Sequence, residues 1–134
     1  MTKRELTSRR EIFLEEYANK VRIEGNTALD MARTMILPAV RAEYLETAKT
    51  YNETDSSNVK IAIDMLHGQM TELGTGLGKM KEAIDYLQDA LKNYDTADTL
   101  ARMSELRKIA DSLEAVVSNE RWPLPKYREM LFLY

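Results

Sequence analysis

The sequence predicts an all-α protein: an elongated, antiparallel three-helix bundle, coiled-coil-like, with a short C-terminal helix. Two counts and one pattern lead to that class. The 134 residues hold only 5 glycines and 3 prolines, about half the usual share, whereas sheet sandwiches, barrels and doubly wound folds spend these residues at their turns. There is no cysteine, which removes disulfide scaffolds and thiolate zinc sites. The pattern is an apolar series in the middle of the chain that steps by four and three without a slip, the mark of a long helix packed at shallow angles. At this length one domain, residues 1–134, can bury a core of its own.

The first helix is expected over about residues 8–51. Phe13, Tyr17, Val21, Ala28, Ala32 and Met35 recur at helical steps. Ser8 and Glu11 form a capping-box pair, and Glu16 precedes Lys20 in the favourable i,i+4 order. Pro38 removes one helical hydrogen bond and crowds the carbonyl of Thr34. The apolar face nevertheless continues through Ile36, Val40, Tyr44, Ala48 and Tyr51, so the helix is expected to run on, kinked at Pro38, with a break at Leu37 as the alternative.

The run Asn-Glu-Thr-Asp-Ser-Ser-Asn over residues 52–58 reads as a loop, with Asp55, Ser56 or Ser57 able to cap a second helix over 57–94. Its stripe is Val59, Ile63, Leu66, Met70, Leu73, Leu77, Met80, Ile84, Leu87, Leu91 and Tyr94, and its length about 50 Å. Asp95, Thr96 and Asp98 mark the next turn and cap. Met103, Leu106, Ala110, Leu113 and Val117, with Leu100, Ile109 and Val116 beside them, give a third helix over 97–120. Pro125 at a first helical position opens a short helix over 125–132.

Charge and hydropathy narrow the function classes. The net charge is −3 and the pI about 5.3, with no basic block to displace counterions from a phosphate backbone, so nucleic acid is not an expected partner. No stretch approaches eighteen apolar residues and no signal peptide follows Met1, so neither a membrane partner nor export is expected. A cytoplasmic protein is the remaining class, and the sequon Asn52-Glu53-Thr54 a chance match.

The motifs that suggest chemistry have plainer readings. Gly74-Thr75-Gly76-Leu77-Gly78 lacks the spacing, preceding strand and Lys-Ser/Thr closure of a phosphate loop. The heptad passes through it unshifted. With Leu73 at a d position, Gly74 and Gly76 flank the seam, where a missing Cβ admits a neighbouring helix, while Gly78 adds only flexibility. Asp64 and His67 resemble half of a di-iron bundle motif, but a second such motif is missing; a surface or half-buried His67 paired with Asp64 is expected. The eight methionines are core fillers. No catalytic, cofactor-binding or metal-binding residue is assigned. The C-terminal segment stands apart: Trp122, Leu124, Tyr127, Met130, Leu131 and Phe132 would form too large an apolar patch in water, so they are the candidate interface, to be covered by the bundle or by something else.

Two stretches carry a family likeness. Trp122-Pro123-Leu124-Pro125-Lys126-Tyr127-Arg128-Glu129-Met130-Leu131-Phe132 resembles the chain terminus of type III glutamine synthetases. Arg22-Ile23-Glu24, Ala28-Leu29-Asp30-Met31-Ala32, Ile36-Leu37-Pro38-Ala39-Val40 and Tyr44 are similar to the long helix after their catalytic domain. The resemblance implies a fragment of a larger chain, with Met1 an added start. It also implies an enzyme that makes glutamine from glutamate, ammonia and ATP with divalent metal, in double-ringed oligomers, whose sites lie in domains upstream. This chain would then be a non-catalytic accessory domain for packing and assembly, with the catalytic domain of the same enzyme and neighbouring subunits as partners. A free-standing adaptor that binds another protein's amphipathic helix is the alternative.

Overall fold

A computed structural model of the chain describes residues 2–55 and 59–125. Helix α1 spans Lys3–Met31, a π-helical turn Ala32–Ile36, α2 Leu37–Asp55, α3 Lys60–Lys92 and α4 Thr96–Glu114. There is no strand among the described residues. Three arms result, the first being the continuous α1, π turn and α2.

The first arm begins earlier than the Ser8–Glu11 pair predicts. Thr2 and Glu5 form the capping box instead: the Thr2 hydroxyl accepts the Glu5 amide at 3.2 Å and the Glu5 carboxylate accepts the Thr2 amide at 3.1 Å. Both tetrads have the same chemistry; nothing between them stops the helix, so the upstream one sets its start. The arm also ends later than expected, at Asp55. Residues 52–55 hold turn-prone side chains but neither Gly nor Pro, and a helix can end on them without breaking. The expected caps Ser56 and Ser57 lie outside the described residues. Val59 stands at the N-cap of α3, without a side-chain bond.

Helicity runs through Pro38 without a break at Leu37. The π turn just before it takes up the disturbance, with the Leu37 amide donating to the Ala32 carbonyl five residues back. It also keeps the buried face in line. Val21, Gly25, Leu29, Ala32, Ile36 and Val40 are all buried, yet a straight α-helix would set Val40 roughly 100° around the axis from Val21. One extra residue in the π turn returns the face to register.

The arms pack antiparallel in sequence. Arg33 on the first donates to Gln88 of α3 at 2.6 Å, and the rings of Tyr51 and His67 lie 6.1 Å apart at the other end. Arg102 of α4 stacks on Tyr86 of α3, 4.6 Å from the ring centroid. The core is Leu29, Ala32, Ile36 and Val40 from the first arm, Leu73, Met80, Ala83, Ile84, Leu87 and Leu91 from α3, and Leu106, Leu113, Val117 and Trp122 from the last part of the chain. The predicted α3 stripe is buried through its middle, half-buried at Ile63, Met70 and Leu77, and exposed at its ends Val59 and Tyr94.

The α3–α4 corner closes by a Schellman motif, with the Asp95 amide on the Ala90 carbonyl and the Tyr94 amide on the Leu91 carbonyl. Tyr94 occupies the left-handed position usual for glycine, at φ 55°. Its ring carries the Arg22 guanidinium 3.9 Å from the centroid, so the side chain ties this corner to α1. Asp95 then caps α4 by accepting the Asp98 amide at 3.0 Å.

Helix α4 stops at Glu114, short of the expected residue 120. The β-branched pair Val116 and Val117, followed by Ser118 and Asn119, favours helix poorly. The chain turns there, the amides of Arg121 and Trp122 both bonding to the Ser118 carbonyl, and Trp122 swings back onto the bundle.

Candidate interface surfaces

The C-terminal candidates divide. Trp122 is 8% exposed and belongs to the bundle's own core, with Leu124 packed against it. Trp122 is thus no free anchor for a partner: the turn at Ser118 spends it on the domain itself. Two glutamates on one face of α2 fix that turn. Arg121 meets Glu43 at 3.1 Å through Nε and Glu46 at 2.5 Å through a terminal nitrogen, and the Ser118 hydroxyl donates to Glu43 at 3.1 Å. Tyr127, Met130, Leu131 and Phe132, and with them the expected helix over 125–132, lie outside the described residues.

The glycines behave as the heptad reading requires. A Cβ at Gly76 would run into the Leu113 side chain of α4, while one at Gly74 would lie 3.4 Å from Tyr44 of α2. The two face different neighbours across the seam. Gly25 does the same on α1, where a Cβ would sit 2.9 Å from Leu91 and 3.1 Å from Thr99. Gly68 and Gly78 have open space beside them.

His67 is exposed, as is Asp64, and the imidazole's neighbour is the Tyr51 ring rather than the expected carboxylate. No three His, Cys, Asp or Glu side chains among the described residues are grouped to hold a metal ion. No helix among them is long and apolar enough to cross a membrane.

Part of the apolar stripe of the first arm has no neighbour to cover it among the described residues. The first arm has 53 residues, from 3 to 55, and α3 has 33, a difference of about 30 Å of helix. That excess projects at the N-terminal end. Of residues 3–20 all are exposed except half-buried Ala18, and burial starts at Val21. Leu6, Phe13, Leu14 and Tyr17 remain 55%, 66%, 51% and 46% exposed. Phe13 and Tyr17 do share a stripe with Val21, as the periodicity indicates, but α3 and α4 do not extend far enough to cover it. The signal that could have revealed this was the mismatch in helix lengths.

The family model for the glutamine synthetase C-terminal domain matches residues 1–55, the whole first arm with its projecting end. Over almost the full chain there is also similarity to the type-3 glutamine synthetase of Dictyostelium discoideum, 29% identical over 148 residues and 96% of this chain. The chain resembles the C-terminal part of type III glutamine synthetases. The glutamine synthetase of Butyrivibrio fibrisolvens is 31% identical over 98% of the chain, and that of Bacteroides fragilis (strain YCH46) 27% identical over 96%. The chain spans about a fifth of the length of each of these glutamine synthetases. No solved structure gives a significant match.

Proposed function

We propose that this bundle is a non-catalytic accessory domain of a type III glutamine synthetase, serving domain packing and oligomer assembly, while ATP, metal and glutamate are handled by the remaining four fifths of the enzyme. One observation carries the reading: the arm matched by the glutamine synthetase C-terminal domain model ends in about 27 Å of exposed amphipathic helix. A stripe of that size on a helix end is a surface for a partner. The Leu124 end of the chain is the face proposed to lie toward the catalytic part of the same subunit. A cytoplasmic location goes with this role.

Two measurements test it. The 134-residue chain, given glutamate, ammonia, ATP and magnesium, is expected to form no glutamine above background; turnover by the chain itself overturns the non-catalytic assignment. A full-length type III relative lacking the corresponding C-terminal fifth is expected to run as smaller species in light scattering coupled to gel filtration. Unchanged oligomer size and heat stability would remove the assembly role.

A further inference from the structure

Where the first arm meets the end of α3, the bundle gathers hydrogen-bond donors and positive charge around one cleft. It has a volume of about 370 Å³ and is lined by Arg22 and Asn26 of α1, Gln88 and Lys92 of α3, and Tyr94 at the corner. No acidic side chain lines it, although the chain holds 22 Asp and Glu against 19 Lys and Arg. Asp30, Asp85 and Asp89 come from the same stretches of helix but are exposed and outside the cleft. Neither Arg22 nor Lys92 is ion-paired among the described residues.

Contacts outside the cleft set these donors in place. The Arg22 guanidinium stacks 3.9 Å from the centroid of the Tyr94 ring, and a stacked guanidinium keeps its N–H groups in its own plane, open to an anion's oxygens. Tyr94 holds φ 55° where it supplies that ring, a conformation rare for tyrosine and of the kind retained at functional sites. The Gln88 side-chain carbonyl accepts Arg33 at 2.6 Å, which leaves its amide N–H groups as the end available to the cleft. Lys92 is not needed to close α3, because the carbonyls of Asp89, Ala90 and Leu91 accept the amides of Asn93, Asp95 and Tyr94. Buried Leu29 and Leu91 also line the cleft and lower its effective dielectric, so the two cations repel each other until an anion lies between them.

We propose that this cleft binds the phosphate group of a small organic phosphate, with Arg22 bidentate, Lys92 as the second positive charge, and Asn26 and Gln88 donating to the remaining oxygens. A tetrahedral oxyanion accepts from donors on several sides at once, which a flat carboxylate does not. The cleft has room for a small molecule attached to the anion. Bound there, the phosphate braces α1 against α3 one residue after Val21, where the projecting end of α1 joins the bundle. The site goes beyond the accessory-domain reading and does not depend on it.

Thermal unfolding of the 134-residue chain, with inorganic phosphate as the probe and sodium chloride at equal ionic strength as the reference, tests it. About 20 mM phosphate should raise the melting temperature by about 3–5 °C over chloride, the shift that a low-millimolar site gives by mass action. Asn26→Asp, at an exposed position, puts a carboxylate between the same two cations. It should raise the melting temperature without phosphate and abolish the phosphate shift. Lys92→Gln, also exposed, should keep the helix content seen by circular dichroism and weaken phosphate binding about tenfold. A stabilisation no greater than that of chloride overturns the site, as does one that both variants leave unchanged. Succinate binding as tightly as phosphate overturns the tetrahedral assignment. Glycerol phosphate binding more tightly than inorganic phosphate supports the organic ligand, and the reverse order overturns it in favour of the free ion.

Discussion

Gly76 and Gly68 lie on the same helix and do opposite things. At Gly76 the space a Cβ needs is filled by Leu113, itself buried, whereas Gly68 and Gly78 face open space. Exposed helical glycines cost the fold conformational entropy, so Gly68→Ala and Gly78→Ala should each stabilise by about 0.5–1 kcal/mol. Gly76→Ala gains the same propensity but forces apart two packed helices, and a net loss of about 1 kcal/mol or more is expected. Urea denaturation midpoints at constant slope would show the split in sign. The role of Gly74 and Gly76 was legible because the heptad passes through them. Gly25 was not, since its neighbours Leu91 and Thr99 come from two other segments whose approach no local spacing encodes. Nor was Tyr94, whose left-handed backbone is compensated by a contact with Arg22 from far along the chain.

Among the elements, the π turn shows how a sequence reading can find a disturbance and misplace its form. Pro38 pointed to the right neighbourhood, but the residue count was changed upstream of it. A trace is visible in the spacing of the buried positions 21, 25, 29, 32, 36 and 40, whose steps average longer than an α turn. Thr34 sits exposed within the π turn, its hydroxyl bonded to the Asp30 carbonyl at 2.7 Å. Deleting it should convert the turn to α-helix and rotate Val21, Gly25 and Leu29 off the α3–α4 groove. The expected loss is about 3 kcal/mol or more, from two large apolar side chains driven into water. Thr34→Ala, which keeps the count, should stay within about 0.5 kcal/mol of wild type. Thermal unfolding followed by circular dichroism would separate the two. The early start at Thr2 and the early end at Glu114 were less legible, because competing caps and weak helix formers leave boundaries to be decided by packing.

At the scale of the whole molecule, the fold class followed from composition and from the α3 stripe, and the three antiparallel arms match it. The distribution of exposed apolar surface did not follow, because it depends on which arm is longest and where the last turn folds back. Phe13 and Tyr17 lie on the helical stripe that the periodicity predicts and yet stay exposed, and of the two ways of covering Trp122, by the bundle or by something else, the bundle is the one found. Truncation makes the second point measurable. Removing residues 126–134 leaves the Arg121 clamp and Trp122 in place and should lower the melting temperature far less than removing residues 122–134, which strips out a core indole at about 3–5 kcal/mol. Equal losses from the two truncations would contradict the placement of Trp122.

The burial of that residue also gives the domain a built-in optical probe. Trp122 is the sole tryptophan, beside seven tyrosines, and it sits where the last turn closes on the base of the bundle. Its emission therefore reports solvent entry at that end alone. Excited selectively, it distinguishes fraying of the C-terminal turn from melting of the long helices, which backbone ellipticity records separately, with no label introduced into a chain that has no thiol to carry one.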